Sequence, residues 1–146
     1  MVGGAPYAAE LSRRVKQLAA ADSRVRLPGP VYGEGYRELL FNAAAYIHAT
    51  EVGGTHPALV EAMGAGRPIL YLDNPPNREV VRDAGARFRF EGELTLTAQL
   101  GELLGDEQRL AALGSAAKKR VAACYRWDAV TDNYERLLEE LCCATP

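Results

Sequence analysis

The chain has 146 residues, 48% of them hydrophobic and 25% charged, and its 17 basic and 19 acidic residues give a net charge of −2. That length suits one domain with a core of its own; the composition excludes long disorder, coiled-coil and fibrous classes, and the charge argues against a strongly basic nucleic-acid face. No apolar run approaches the ~20 residues of a membrane span, and Met1 is followed by Val2-Gly3-Gly4-Ala5-Pro6 rather than by a charged and then apolar leader. A cytosolic, cytoplasmic domain is expected, with peripheral attachment to a membrane through a partner left open.

From the N-terminus, Val2-Gly3-Gly4-Ala5-Pro6 reads as the tail of a strand turning through glycines into a helix. A first strand reduced to a stub is unusual in a parallel sheet. The expectation is therefore that residue 1 is a cut, or a late start, inside a larger α/β protein with at least one strand upstream. A helix is expected over Ala8 to Ala20, a strand over Val25 to Leu27, a helix over Tyr36 to Ala44 and a strand over Ala45 to Ala49. A helix at Pro57 to Gly64 begins with proline in its first turn and closes at Gly64 and Gly66. A strand at Ile69 to Leu72, a helix at Arg78 to Asp83 and a strand at Ala86 to Phe90 follow. Helices at Thr95 to Leu104, Glu107 to Ala123 and Trp127 to Leu141 complete the chain, with Asp106 and Asp128 at or near the starts of the last two. Alternating strands and helices of this kind specify an α/β fold, a Rossmann-like parallel sheet flanked by helices.

Three cysteines, two of them adjacent at Cys142 and Cys143, fit reduced thiols better than a disulfide framework. Cys124 reads as a small apolar helix residue. Without a CxxC pair, and with only His48 and His56 available, a zinc site is not expected.

In an open α/β sheet, ligands bind beyond the carboxyl ends of the strands. The most informative such loop is Thr50-Glu51-Val52-Gly53-Gly54-Thr55-His56-Pro57, which leads into the helix containing Glu61. Paired glycines let the backbone approach a ligand, and the free amides and positive dipole end of a helix favour an anion such as a pyrophosphate. Thr55 can cap the helix or donate to a phosphate oxygen; on spacing alone a tight turn with a Thr cap is the simpler reading. Glu61, one turn into the helix, can accept two hydrogen bonds from a vicinal diol, although alone it reads as a solvated helix-face glutamate. His48, near a strand end, reads first as a hydrogen-bonded structural histidine. Trp127 and Tyr134 read as packing residues rather than sugar-stacking ones, and Lys118-Lys119-Arg120 as a solvated helix face.

The run from Glu51 to Ile69, Glu51-Val52-Gly53-Gly54-Thr55-His56-Pro57-Ala58-Leu59-Val60-Glu61-Ala62-Met63-Gly64-Ala65-Gly66-Arg67-Pro68-Ile69, resembles the donor-site signature of retaining family 4 (group 1) glycosyltransferases of the GT-B fold. It is similar in particular to the rhamnosyltransferase-like subgroup, with its Gly-Gly-Thr-Asn-Pro-Ser-Leu-Leu-Glu-Ala-Met string. The resemblance continues through Arg24-Val25-Arg26-Leu27-Pro28-Gly29, Asn77-Arg78-Glu79-Val80-Val81, Asp83-Ala84-Gly85-Ala86, Tyr125-Arg126-Trp127-Asp128 and Tyr134-Glu135.

The resemblance implies the C-terminal half of a two-domain enzyme, truncated in its first strand, that holds a nucleotide diphosphate sugar as donor substrate and needs no cofactor or metal. The N-terminal acceptor domain would be absent, so transfer by this chain alone is not expected. The implied reaction moves a hexosyl or deoxyhexosyl group to an acceptor hydroxyl with retention. By the same mapping Glu61 would bind the ribose hydroxyls, Gly54, Thr55 and His56 would line the diphosphate and sugar, and Val31 and Tyr32 would cradle the base. The family's first glutamate would fall at Gly53; its place is then taken by Glu51, by backbone or by nothing, a departure the subgroup shares. Two alternatives stay open: a non-catalytic nucleotide-binding subunit or scaffold module, and a sugar-nucleotide epimerase-like domain.

Overall fold

Strands exist only where a neighbour pairs them, and three of the expected runs find one. The computed structural model describes residues 1–4 and 8–143. Its elements are α1 (Ala9–Ala20), α2 (Gly33–Phe41), β1 (Tyr46–His48), α3 (Pro57–Gly64), β2 (Ile69–Leu72), α4 (Pro75–Val81), a 3-10 turn (Arg82–Ala84), β3 (Ala86–Phe88), α5 (Leu96–Leu104), α6 (Glu107–Cys124) and α7 (Trp127–Cys143). The chain divides into two compact units, Met1–Leu39 and Leu40–Pro146.

In the first unit Val2 meets Gly29 in an isolated parallel bridge, with the Gly3 amide donating to the Gly29 carbonyl at 3.0 Å. Apart from the Met1 amino group, which donates to the Arg26 carbonyl at 2.8 Å, no further rung joins the described residues of this unit, and Val25 to Leu27, expected as a strand, is irregular. Ala5 and Pro6 of the expected glycine turn lie outside the described residues.

In the second unit β1, β2 and β3 form a parallel sheet in that order. Tyr46 is opposite Ile69 and His48 opposite Tyr71; Leu70, Tyr71 and Leu72 are opposite Ala86, Arg87 and Phe88. Every residue of β2 is buried, as its unbroken Ile-Leu-Tyr-Leu run requires of a parallel strand covered on both faces. On one face Leu70, Leu72, Ala86 and Phe88 pack with Leu103 of α5 and against Leu110 and Leu113 of α6. On the other, where alternation sends Tyr46, His48 and Tyr71, the Tyr71 hydroxyl donates to the Arg82 carbonyl at 3.3 Å.

Capping explains where the helices depart from expectation. α4 starts at Pro75 rather than Arg78 because Asn74 caps it, accepting from the Asn77 amide at 3.0 Å. Its far end is capped from α6: Arg120 donates to the carbonyls of Val80 at 2.5 Å and Glu79 at 2.6 Å, which a helix end otherwise leaves unsatisfied. Lys118 and Lys119 are exposed as expected, but Arg120 is drawn out of the solvated run by those carbonyls. Thr95 and Asp106 cap α5 and α6, while Asp128 lies in the first turn of α7.

α7 buries no residue. Trp127 and Tyr134, expected to pack, are 84% and 64% exposed, because no described element covers their side of the helix. The three cysteines are unpaired and exposed; Cys124 lies on a helix as expected, at the end of α6, with its sulfur 3.8 Å from an Arg120 nitrogen.

α6 packs closely on the turn after α3. A Cβ on Gly114 would lie 2.4 Å from the Gly66 carbonyl oxygen and 3.3 Å from its carbon, so only glycine lets the helix approach that backbone. Gly114→Ala is expected to destabilise the protein by ~1–3 kcal/mol, the usual range for overpacking, measured as a lower urea midpoint at unchanged slope.

Candidate functional site

The loop that follows β1 is fixed at its root and free at its tip. Asn74 Nδ2 donates to the carbonyls of Thr50 at 3.0 Å and Glu51 at 3.2 Å. Asn77 Nδ2 donates to Thr50 at 3.1 Å and to Leu72 at 3.0 Å. The two side chains that open α4 therefore hold the departure of the loop against the end of β2. Beyond this clamp, Glu51, Val52, Gly53, Gly54 and Thr55 are exposed. Among the described residues, the amides of Gly54, Thr55 and His56 donate to no backbone carbonyl.

α3 begins immediately afterwards. Its N-cap is His56, in extended conformation, with Pro57 in the first turn and no side-chain cap. Thr55 is therefore not the helix cap. An uncapped N-terminus beside unpaired loop amides concentrates partial positive charge at the mouth of the loop.

Gly53 and His56 are brought together. Gly53 has φ +130°, and a Cβ there would lie 2.8 Å from His56 Cε1 and 2.9 Å from Nε2. The backbone at position 53 disfavours a side chain, and the imidazole would have to move to admit one. The His56 ring in turn sits 5.0 Å from that of His48, tilted by 53°. His48 is 5% exposed and its Nε2 has no hydrogen-bond partner among the described residues, so the expected hydrogen-bonded structural histidine lacks a partner at this atom. Burial, and then the neighbouring His56, push its pKa below 6.5. On the same strand Tyr46 is pushed up by burial and by the charge of Glu61, which places the Glu61 carboxylate within electrostatic reach of this strand from the exposed face of α3.

Val31 and Tyr32 belong to the first unit, just before α2; Val31 is half-buried and Tyr32 is 83% exposed. The Glu51 side chain is exposed and its carbonyl is taken by Asn74. Sequence reasoning missed the clamp residues Asn74 and Asn77, although Asn-Pro-Pro-Asn is an N-cap followed by first-turn prolines. It also missed Asp73, whose fully buried carboxylate pairs with Arg78 at 2.5 Å and Arg89 at 2.8 Å. Hydrogen bonding by Arg78 leads the causes that lower Asp73 to about 2. Among the described residues no three His, Cys, Asp or Glu side chains gather as around a metal ion, and no helix is long and apolar enough to cross a membrane.

The family described as Glycosyl transferases group 1 matches residues 1–106. The chain belongs to the group 1 glycosyltransferases. The glycosyltransferase chain superposes on sucrose-phosphate synthase from Thermosynechococcus elongatus with a TM-score of 0.78 and 21% identity, covering 99% of this chain and 38% of that one. Anabaena HepE in complex with UDP-glucose gives a TM-score of 0.74 and 23% identity, over 97% of this chain and 40% of that one. The pneumococcal O-GlcNAc transferase GtfA in complex with UDP and GlcNAc gives 0.70 and 17%, over 92% and 28%. These likenesses show the α/β fold of GT-B enzymes. The chain thus spans about two fifths of the length of the first two structures. No curated protein matches the sequence.

The depressed pKa values set the pH response of stability. His48 binds its proton less readily folded than unfolded, so its contribution is complete above pH 6.5 and is lost as pH falls through the lower folded value. Asp73 behaves likewise at lower pH, losing its contribution between 3.8 and about 2. Urea unfolding is expected to show a midpoint that declines as pH falls below 6.5, and His48→Gln is expected to flatten that part of the profile. An unchanged slope in the variant would show that His48 does not cause the decline.

Proposed function

We propose that this chain is the C-terminal, donor-binding half of a retaining glycosyltransferase. The full enzyme would transfer a hexosyl or deoxyhexosyl group from a nucleotide diphosphate sugar to an acceptor hydroxyl held by an N-terminal domain. The observation that carries the reading is the Gly53-Gly54-Thr55-His56 loop, whose unpaired amides lead into the uncapped start of α3. Such donors suit a diphosphate, and they matter most where negative charge develops as the sugar departs. The complexes of HepE with UDP-glucose and of GtfA with UDP and GlcNAc support a nucleotide-sugar donor.

In this reading Gly54 and Thr55 present backbone amides to the diphosphate. His56, held against Gly53, offers a ring nitrogen to the diphosphate or the sugar. Glu61 accepts hydrogen bonds from the ribose diol. The absence of a carboxylate at Gly53, together with the Gly-Gly-Thr-x-Pro string, supports the rhamnosyltransferase-like subgroup and a role in polysaccharide biosynthesis. Glu51 is the carboxylate left to approach the sugar. We also assign the protein to the cytoplasm, supported by its three exposed, unpaired thiols.

Calorimetric titration with UDP tests the assignment. Binding is expected to be weak, and Glu61→Ala is expected to lower affinity about tenfold, the loss of roughly 1.5 kcal/mol from hydrogen bonds to a charged group. Identical affinity in the variant would remove Glu61 from the site.

A further inference from the structure

Four guanidiniums are arrayed on one side of the sheet in the second unit. Arg78 and Arg82 follow one another at a helical turn's spacing along α4 and the 3-10 turn after it. Arg87 and Arg89 alternate along β3 and its extension, on the face shared by Tyr71 and Asp73. Asp73 satisfies one pair of the four, Arg78 and Arg89, with its two carboxylate oxygens. Arg82 and Arg87 form no ion pair among the described residues. They line a common cavity of about 510 Å³ with Tyr71, Arg78, Asp83 and Gly85. None of its lining residues belongs to the Gly53 loop or α3.

We propose that this cavity binds a small phosphate ester bearing hydroxyl groups, its phosphate oxygens lying between the Arg82 and Arg87 guanidiniums and a hydroxyl donating to Asp83. The Asp73 clamp shows what the arrangement asks for: one anion with two or more oxygens between two guanidiniums. Asp83 is the one carboxylate in the lining, so charge at the cavity stays positive while a hydrogen-bond acceptor is available beside it.

The backbone supplies an independent observation. Arg82 is the one non-glycine with positive φ among the described residues, at φ 51° and ψ −125°. A glycine would relieve that strain. The Tyr71 hydroxyl, donating to the Arg82 carbonyl at 3.3 Å, holds the strained peptide in place. A costly conformation that brings an unpaired cation to a cavity wall is explained by a ligand for that cation.

The test is a titration of the whole chain with glycerol 3-phosphate, followed by amide NMR at fixed ionic strength, with sodium chloride as the control. Saturable shifts are expected at Arg82, Gly85 and Arg87, and Arg87→Gln is expected to weaken them about fivefold or more. Arg82→Gly separates a ligand role from a structural one: it is expected to raise the thermal midpoint and yet lose the saturable shifts. A parallel co-sedimentation with phosphatidylglycerol vesicles identifies the source of the phosphate. Binding there that both variants abolish assigns a lipid headgroup; saturation by the soluble ester alone assigns a free metabolite. Shifts that sodium chloride reproduces, shifts confined to Gly53, Gly54 and Thr55, or unaltered binding in both variants would overturn the proposal. The second of these outcomes would leave the donor-loop reading standing.

Discussion

A strand buried on both faces is the constraint from which the second unit follows. Ile69, Leu70, Tyr71 and Leu72 have no solvent side, so both surfaces of the sheet must be covered, and parallel pairing requires each connection to cross back over the sheet. α5 and α6 seal the face of Leu70 and Leu72 with leucines. The tight seating of Gly114 on the Gly66 turn fixes where α6 lies, and from there Arg120 closes the end of α4. A hydrophobic requirement at four residues thereby fixes the positions of helices far along the chain.

The opposite face is built differently. Tyr46, His48, Tyr71, Asp73, Arg87 and Arg89 lie on it by alternation, and each polar atom there asks for a partner. Asp73 finds two, and Tyr71 finds the Arg82 carbonyl. His48 Nε2 finds none among the described residues. The contrast between an apolar face that stabilises and a polar face that presents side chains is the organisation expected of a sheet whose chemistry sits at strand ends and the loops beyond them.

Much of this was legible in the sequence, because local rules agreed with one another. Pro57 in the first turn and the glycines after Met63 bound α3 as expected, and the β-branched and aromatic Ile69 to Leu72 run is β2 without adjustment. Reading failed where a distant partner decides. Val25 to Leu27 has strand-forming residues but only one rung of pairing nearby. Arg120 looked like part of a solvated run, and the Glu79 and Val80 carbonyls lie forty or so residues away. At the candidate site the glycine loop and Glu61 were visible as a motif. The Asn74 and Asn77 clamp depends on the chain returning through β2, and the approach of His56 to Gly53 and His48 depends on how the loop folds back on β1; both stayed hidden.

The pairing of Gly53 with His56 also restricts how this loop can diverge. The imidazole fills the space in which a side chain at position 53 would have to begin, so position 56 can change alone but position 53 cannot do so without moving the ring. A carboxylate acquired at 53 requires a smaller or redirected residue at 56, together with a backbone that leaves positive φ. The order of change is therefore asymmetric: the first position gains a side chain only once the second has shrunk or turned away, whereas the second can change while the first is still glycine.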